Sequence, residues 1–237
     1  MACMGMFTLQ QPRLALEKLS LVMVAPEAIK TDAQAYQFRA HGDSKGVTEA
    51  HRIRRESWNP VLDGDPLLLH ERLNGALYVA DGHHRLDHAV NTNAIGTGPG
   101  KVAAYVLREA DGYSVEDVRV IAAYKNMARG HTDTLDAARV FKEVESGRVD
   151  VRKLPPLQMD KGNLRVAYSM SKLPEAVLEQ VGREQVPATF AAEIAENFDT
   201  PELQRSMVEM VGKTLRGGSF VQRLAQSRQG SAGLSLN

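Results

Sequence analysis

The chain is short of several things. It has one cysteine, Cys3, in 237 residues, so neither an intramolecular disulfide nor a cysteine-based zinc site can form within it. Aromatic residues make up 5%, which counts against a single-strand nucleic-acid platform, where bases stack on successive rings. It has no net charge: 29 basic residues balance 29 acidic ones. A neutral chain exerts no global pull on nucleic acid or a membrane surface, although a local basic face stays open. No run reaches the roughly 20 apolar residues that span a bilayer. Residues 1–12 lack the charged start and long apolar core of a secretory signal. These absences give the expectation of a soluble, cytoplasmic protein with no membrane partner. The hydrophobic content of 43% is enough for a globular core, and the length suits one large domain or two small ones.

Against that background one stretch stands out, Asp81-Gly82-His83-His84-Arg85. An apolar run over 76–80 precedes it, and a helical apolar pattern through Leu86, Ala89 and Val90 follows. This predicts a strand, a tight glycine turn and a helix N-terminus. The first N–H groups of a helix lack internal acceptors, and the macrodipole places partial positive charge there. Two imidazoles and a guanidinium at the same turn suit a phosphate. The residues therefore predict a phosphorylated ligand held at 82–85; the alternative is a turn and helix start that merely carry charge.

The rest of the chain falls into two patterns. Residues 21–24 predict a strand, and the runs 67–69 and 77–79 flank Asn74-Gly75, a strong hairpin signal. Residues 91–100 read as a Gly-rich loop and 101–107 as another strand. From Ser114 the period becomes helical. Its hydroxyl caps a helix with Glu116 and Asp117 in the first turn, and Val118, Ile121, Ala122 and Met127 share one face. Thr134 is expected to cap a second helix bearing Leu135, Ala138, Val140, Phe141 and Val144. Helical patterns run on to about Gln222, broken at Pro155-Pro156, Pro174, Pro187 and Pro201, positions where a missing N–H costs nothing in a first turn. The organisation expected is a flexible start over 1–16, an α/β domain over 17–112, an all-helical domain over 113–226 and a flexible tail over 227–237. With no linker between the two domains, they are expected to pack together.

With these segments placed, the chain resembles the ParB family of plasmid and chromosome partition proteins. Tyr36-Gln37-Phe38-Arg39 is similar to the family's Tyr-Gln-Pro-Arg patch after the first strand. Gly82-His83-His84-Arg85-Leu86-Asp87-His88-Ala89 is similar to its Gly-Glu-Arg-Arg-x-Arg-Ala box. Lys125-Asn126-Met127-Ala128-Arg129, followed by Thr134-Leu135-Asp136-Ala137-Ala138, is similar to its Glu-Asn-x-x-Arg box and the next helix start. Asn163-Leu164-Arg165 through Ser171-Lys172-Leu173-Pro174-Glu175-Ala176-Val177 is similar to the end of its helix-turn-helix. The likeness covers roughly residues 18–210, with four motifs in order. It implies an α/β ParB/sulfiredoxin-like domain followed by an all-helical region. It also implies a site for CTP, or ATP, with Mg²⁺, DNA as a partner, and a homodimer. Carried over by position, Gly82, His83, His84 and Arg85 contact phosphates, Asn126 ligates the metal, Arg129 contacts a phosphate, and Gln37 and Arg39 line the site. Sulfiredoxins share the fold, but their turn carries a catalytic cysteine; histidine stands here, which excludes that activity.

Two departures bear on chemistry. His83 stands where the family has an acid after the glycine, and Lys125 where an acid precedes Asn126. Losing two carboxylates removes metal ligands and a water-orienting group, and binding survives that better than hydrolysis. The Asp-Gly-His-His-Arg variant is similar to that of ParB-like free serine kinases. Together with Trp58-Asn59-Pro60 it resembles most the phage- and plasmid-borne ParB-like proteins described as nucleases. Two classes therefore stand side by side. One is a DNA-associated nucleotide-binding protein. The other is an enzyme (NTP hydrolase, nuclease or small-molecule kinase) with Asp81 and His84 as catalytic groups and Asp81 also as a metal ligand.

Several residues carry two readings. Asp81 is a general base or metal ligand, or a turn residue before glycine. His84 and His88, spaced i and i+4, suit a zinc pair or a hydrated helix face. His51, Arg52, Arg54 and Arg55 form a nucleic-acid backbone patch or a solvated charged face. Lys161, Arg165 and Lys172 are the nucleic-acid candidates on or near the recognition-helix segment, although Val166, Ala167, Met170 and Leu173 read equally as a core helix. Trp58 stacks on a base or packs on the sheet. Glu71 and Glu49 are the candidate acceptor-activating acids for a kinase.

Overall fold

The computed structural model describes residues 19–38, 45–155 and 162–214. Two compact units emerge, one of residues 1–130 with 146–157, the other of 131–145 with 158–237. The first contains β1 (Leu21–Val24), β2 (Ile29–Lys30), α1 (Ala33–Tyr36), α2 (Pro60–Asp63), β3 (Leu67–Glu71), β4 (Leu77–Asp81), α3 (His83–Ala94), β5 (Val102–Arg108) and α4 (Val115–Ala128). Its five-stranded sheet has the order β1-β5-β3-β4-β2. The β1/β5 and β3/β4 pairs are antiparallel; β3/β5 and β2/β4 are parallel.

The Asn-Gly signal is realised in the β3–β4 hairpin. Gly75 takes φ +75°, and Asn74 Oδ1 accepts from the Ala76 amide at 3.0 Å. β3 is the middle strand, and Leu67, Leu68, Leu69 and His70 are all buried, as a strand covered on both faces requires. Side chains alternate across the sheet. Leu67, Leu69 and Val79 join Leu86 and Ala89 of α3 and Val102, Ala104 and Val106 of β5 in one cluster, with Trp58 packed against it. Burying each such Leu or Val contributes about 1.5–3 kcal/mol. Trp58 also stacks on His88, ring centroids 5.7 Å apart, so it packs on the sheet unit. α4 packs against α1, β3 and β4.

Helix α3 continues to Ala94, past the loop start read at Asn91. Thr92 is buried and donates from its hydroxyl to His88 O at 2.7 Å. That bond within the helix satisfies the buried hydroxyl in the last turn. α4 begins with a complete capping box between Ser114 and Asp117. Buried Asp117 does more than cap: it takes the Lys153 ammonium at 2.6 Å and the Asp150 amide at 2.9 Å. Those contacts hold residues 150–153 to the start of α4. The sequence boundary at 112/113 marks the change from strand to helix pattern; compactness divides the chain elsewhere, because α4 lies on the sheet.

Among the described residues, the second unit contains only helices: α5 (Thr134–Glu145), α6 (Asn163–Ser171), α7 (Glu175–Gly182), α8 (Ala188–Asn197) and α9 (Pro201–Thr214). Its core includes Ala138, Phe141, Met170, Leu173, Leu178, Ile194 and Met207. Pro174 and Pro187 cap α7 and α8, and Pro201 opens α9, as expected. The cap of α5 differs from expectation. Asp133 Oδ1 accepts from the Asp136 amide at 2.7 Å, and Thr134 is already the first helical residue. A carboxylate is the stronger acceptor at a positive helix end. No described helix is long and apolar enough to cross a membrane.

One network, buried at His70, fixes the hairpin to α1 and to the chain just before α4. Arg72 Nε donates to the Tyr36 hydroxyl at 2.8 Å, and that hydroxyl lies 2.7 Å from His70 Nδ1. His70 Nε2 lies 3.0 Å from the Tyr113 carbonyl. A carbonyl only accepts, so Nε2 carries the proton and Nδ1 receives the tyrosine hydroxyl. Burial is the largest influence on the His70 pKa and lowers it; the Tyr113 bond, next in size, raises it, the Arg72 charge lowers it again, and the result lies below the ordinary value. Between the ordinary value of 6.5 and the lower folded value, the unfolded chain binds a proton that the folded chain does not. This contribution to stability is therefore present above that window and lost as pH falls through it. Urea midpoints are expected to drop from neutral to mildly acidic pH in the wild type and to change less in His70→Gln; identical slopes would refute this.

Candidate functional site

The hairpin's second arm delivers Asp81 to the start of α3. Gly82 joins them at φ +100°, in the left-handed region that disfavours a side chain. A Cβ there would also stand 2.5 Å from Leu67 Cδ2 and 3.0 Å from Arg85 Nη2. Glycine is thus required both by the turn and by the packing of the corner. The first intrahelical bond runs from the Leu86 amide to Gly82 O at 2.9 Å, so the earlier amides point out of the helix end.

Asp81 is 9% exposed and is the centre of the corner. Lys125 Nζ, from α4, lies 2.6 Å from its Oδ2. Arg85 Nη2, one turn into α3, lies 3.5 Å from the same oxygen. Asn126 Nδ2 points at Oδ1 from 3.4 Å. Burial pushes the Asp81 carboxyl upward, but the Lys125 charge and hydrogen bond, the Arg85 charge and the Asn126 amide together outweigh it. The carboxyl ends below its ordinary value. Arg85 is further fixed by the Asp65 and Pro66 carbonyls.

The histidines divide the work. His84 Nε2 accepts from the Thr48 amide at 3.1 Å and lies 3.3 Å from the Thr48 hydroxyl. An amide N–H only donates, so Nε2 presents a lone pair and the imidazole is neutral in this arrangement. His83 is buried, with its ring edge against Gly46: a Cβ on Gly46 would lie 2.9 Å from His83 Cδ2 and 2.4 Å from Gln37 Nε2. Gln37 Nε2 donates to Gly46 O at 3.0 Å. Gln37, Gly46 and His83 are therefore neighbours. His88 goes elsewhere, to Trp58 and to Asp63 Oδ2 at 3.5 Å, so His84 and His88 do not converge. No group of three or more His, Cys, Asp or Glu able to hold a metal occurs among the described residues.

The other candidates are scattered. Arg129 reaches Asp65 Oδ2 at 3.5 Å in an exposed pair, a contact worth little in water. Arg39 and Lys161 lie outside the described residues. Arg165 and Lys172 are exposed on or just after α6, and Lys172 lies over the Tyr168 ring. Arg52 pairs with Asp87 at 2.8 Å and with Glu49 at 3.0 Å, Arg54 with Glu49, and Arg55 with Asp63. The basic cluster is thus largely taken up by the protein's own acids. Glu71 is held by Arg108 at 2.9 Å.

Thr48, Gly46 and Asp65 escaped the sequence reading. Each sits in irregular chain far from its partner in sequence, and no spacing rule links Thr48 to His84 or Asp65 to Arg85. Lys125 was read as a lost acid, and the structure shows what replaces that acid: a cation on Asp81.

The donor set does not suit the magnesium ion that the family resemblance implies. Asp81 Oδ2 already faces an ammonium at 2.6 Å. Asn126 turns its amide nitrogen, not its oxygen, toward Oδ1. Magnesium needs unoccupied oxygens at about 2.0–2.1 Å.

The class defined so far is a mixed α/β unit with a cation-rich strand–glycine–helix corner, accompanied by an all-helical unit. No family model matches the chain, and no curated protein matches it in sequence. Among solved structures it is similar to the C-terminally truncated chromosome-partitioning protein ParB from Caulobacter crescentus complexed to the centromeric parS site. That match has 15% identity and a TM-score of 0.44 and covers 87% of this chain and 99% of that one. The C-terminally truncated ParB of the same organism complexed with CTP-gamma-S matches at 16% identity and a TM-score of 0.29, over 80% and 99% of the two chains. Likenesses this distant leave the functional reading to the residues themselves.

Gly82→Ala is expected to destabilise the protein by about 1–3 kcal/mol, from the left-handed backbone alone, with added strain against Leu67. An unchanged denaturation midpoint would contradict the geometry given for this corner.

Proposed function

We propose that the first unit binds the polyphosphate of a nucleotide, CTP or ATP, at the β4–α3 corner. On this reading the chain is a DNA-associated, ParB-like protein of a phage or plasmid type element. The observation that carries the reading is the convergence of Lys125 Nζ, Arg85 Nη2 and Asn126 Nδ2 on one carboxylate beside the N-terminus of a twelve-residue helix. Donors placed to hold carboxylate oxygens are placed to hold phosphate oxygens, and the helix end adds its partial charge. Gln37 and His83 border the same end of α3.

The enzymatic alternative, with Asp81 and His84 as catalytic groups, draws less support. A general base works best with a pKa near the working pH. Asp81 is held below the ordinary carboxylate value, and the His84 lone pair is taken by Thr48.

Titration calorimetry with CTP and with ATP tests the proposal. Arg85→Ala and Lys125→Ala are each expected to weaken binding by about tenfold or more, which corresponds to about 1.4 kcal/mol; thermal melts confirm that both variants fold. Equal heats from wild type and both variants would reject it. For DNA, Arg165→Ala and Lys172→Ala are expected to lower affinity alike across sequences and to reduce the salt dependence by about one unit of slope each. Undiminished DNA binding by the double variant would remove α6 from that role.

A further inference from the structure

We infer that the Lys125 ammonium takes the place of a divalent cation, so that the anion site at the β4–α3 corner works without metal. This rests on the nucleotide-binding reading for its ligand, but its argument concerns the corner itself. A polyphosphate needs fixed positive charge to be held, and many sites supply it with magnesium bound through one or two carboxylates and the phosphates. Here the carboxylate that would bring the metal, Asp81, already has an ammonium on one oxygen and faces an amide nitrogen with the other. Oδ2 has Lys125 Nζ at 2.6 Å and Arg85 Nη2 at 3.5 Å. Oδ1 has the Asn126 amide nitrogen at 3.4 Å, which turns the Asn126 oxygen away.

The neighbouring acids do not make up the loss. Asp87 is held by Arg52 at 2.8 Å and Lys45 at 3.5 Å, and Asp65 faces Arg129 at 3.5 Å. A divalent ion entering the corner would also meet two monovalent cations at close range.

Lysine can do the substituted work. Its ammonium is a compact charge with three donors, and the Asp81 contact uses one. Two remain for phosphate oxygens. With Lys125 and Arg85 against Asp81, the corner carries one net positive charge. Asp81 is then a positioning residue that aims Lys125, and its own negative charge is already neutralised.

The test is titration of CTP, ATP and inorganic pyrophosphate into the wild-type protein, once in EDTA and once in excess Mg²⁺. Affinities are expected to agree within about twofold. Lys125→Glu places a second carboxylate beside Asp81. It should bind about tenfold or more weakly in EDTA and recover in Mg²⁺, whereas Lys125→Met should be weak in both. Wild-type binding that requires Mg²⁺ would overturn the inference, as would a folded Lys125→Glu protein blind to Mg²⁺. Mn²⁺-induced broadening of amide resonances around residue 81, recorded without nucleotide, supplies an independent arm. None is expected in the wild type and clear broadening in Lys125→Glu. If no nucleotide binds under either condition, the polyphosphate reading falls on its own. The Mn²⁺ arm still decides the present inference, because broadening at Asp81 in the wild type would refute it.

Discussion

The rest of the sheet unit is organised around the buried carboxylate of Asp81. It ends β4, precedes the glycine turn and takes contacts from two helices: Arg85 on α3 and Lys125 with Asn126 on α4. A carboxylate this buried is tolerated only when paired and hydrogen-bonded. Satisfying it forces α4 to lie over the end of β4. Such a pair adds little net stability compared with an apolar contact, and its better-attested use is to specify one arrangement over others. Here the arrangement specified is the meeting of a strand end, a helix start and a second helix.

Three other buried acids repeat the device on a smaller scale. Asp63 joins α2 to the middle of α3 through His88 and is held by Arg55. Asp87 draws in Arg52 and Lys45. Asp117 ties residues 150–153 to the start of α4. Each links irregular chain to a helix that is itself fixed by apolar packing. This explains how a unit with short strands and long connections keeps its loops in place, and why many of the basic residues in this unit are committed internally.

That commitment shapes function. The neutral overall charge leaves the positive charge at the β4–α3 corner as a local excess of Lys125 and Arg85 over Asp81. Such a corner suits an anion more than it suits general-base chemistry. The pull that lowers the Asp81 pKa makes the carboxylate a poor proton acceptor, and Thr48 occupies the lone pair of His84 Nε2.

Much of the local structure was legible in the residues. Alternation and apolar runs marked β1, β3, β4 and β5, Asn74-Gly75 marked the hairpin, Ser114 with Asp117 marked a helix start, and the prolines marked the starts of α7, α8 and α9. These signals are short-range: turn conformation, capping and hydrophobic period are set by a residue and its near neighbours in sequence. The glycine at position 82 belongs with them. What only the tertiary structure decided is who partners whom. Lys125 is 44 residues from Asp81, and Thr48 is 36 from His84. A long side chain with free rotors carries no sequence mark of its destination. Burial and the requirement that buried charge find its opposite assign those destinations, and they act only once the sheet and its helices have closed around the corner.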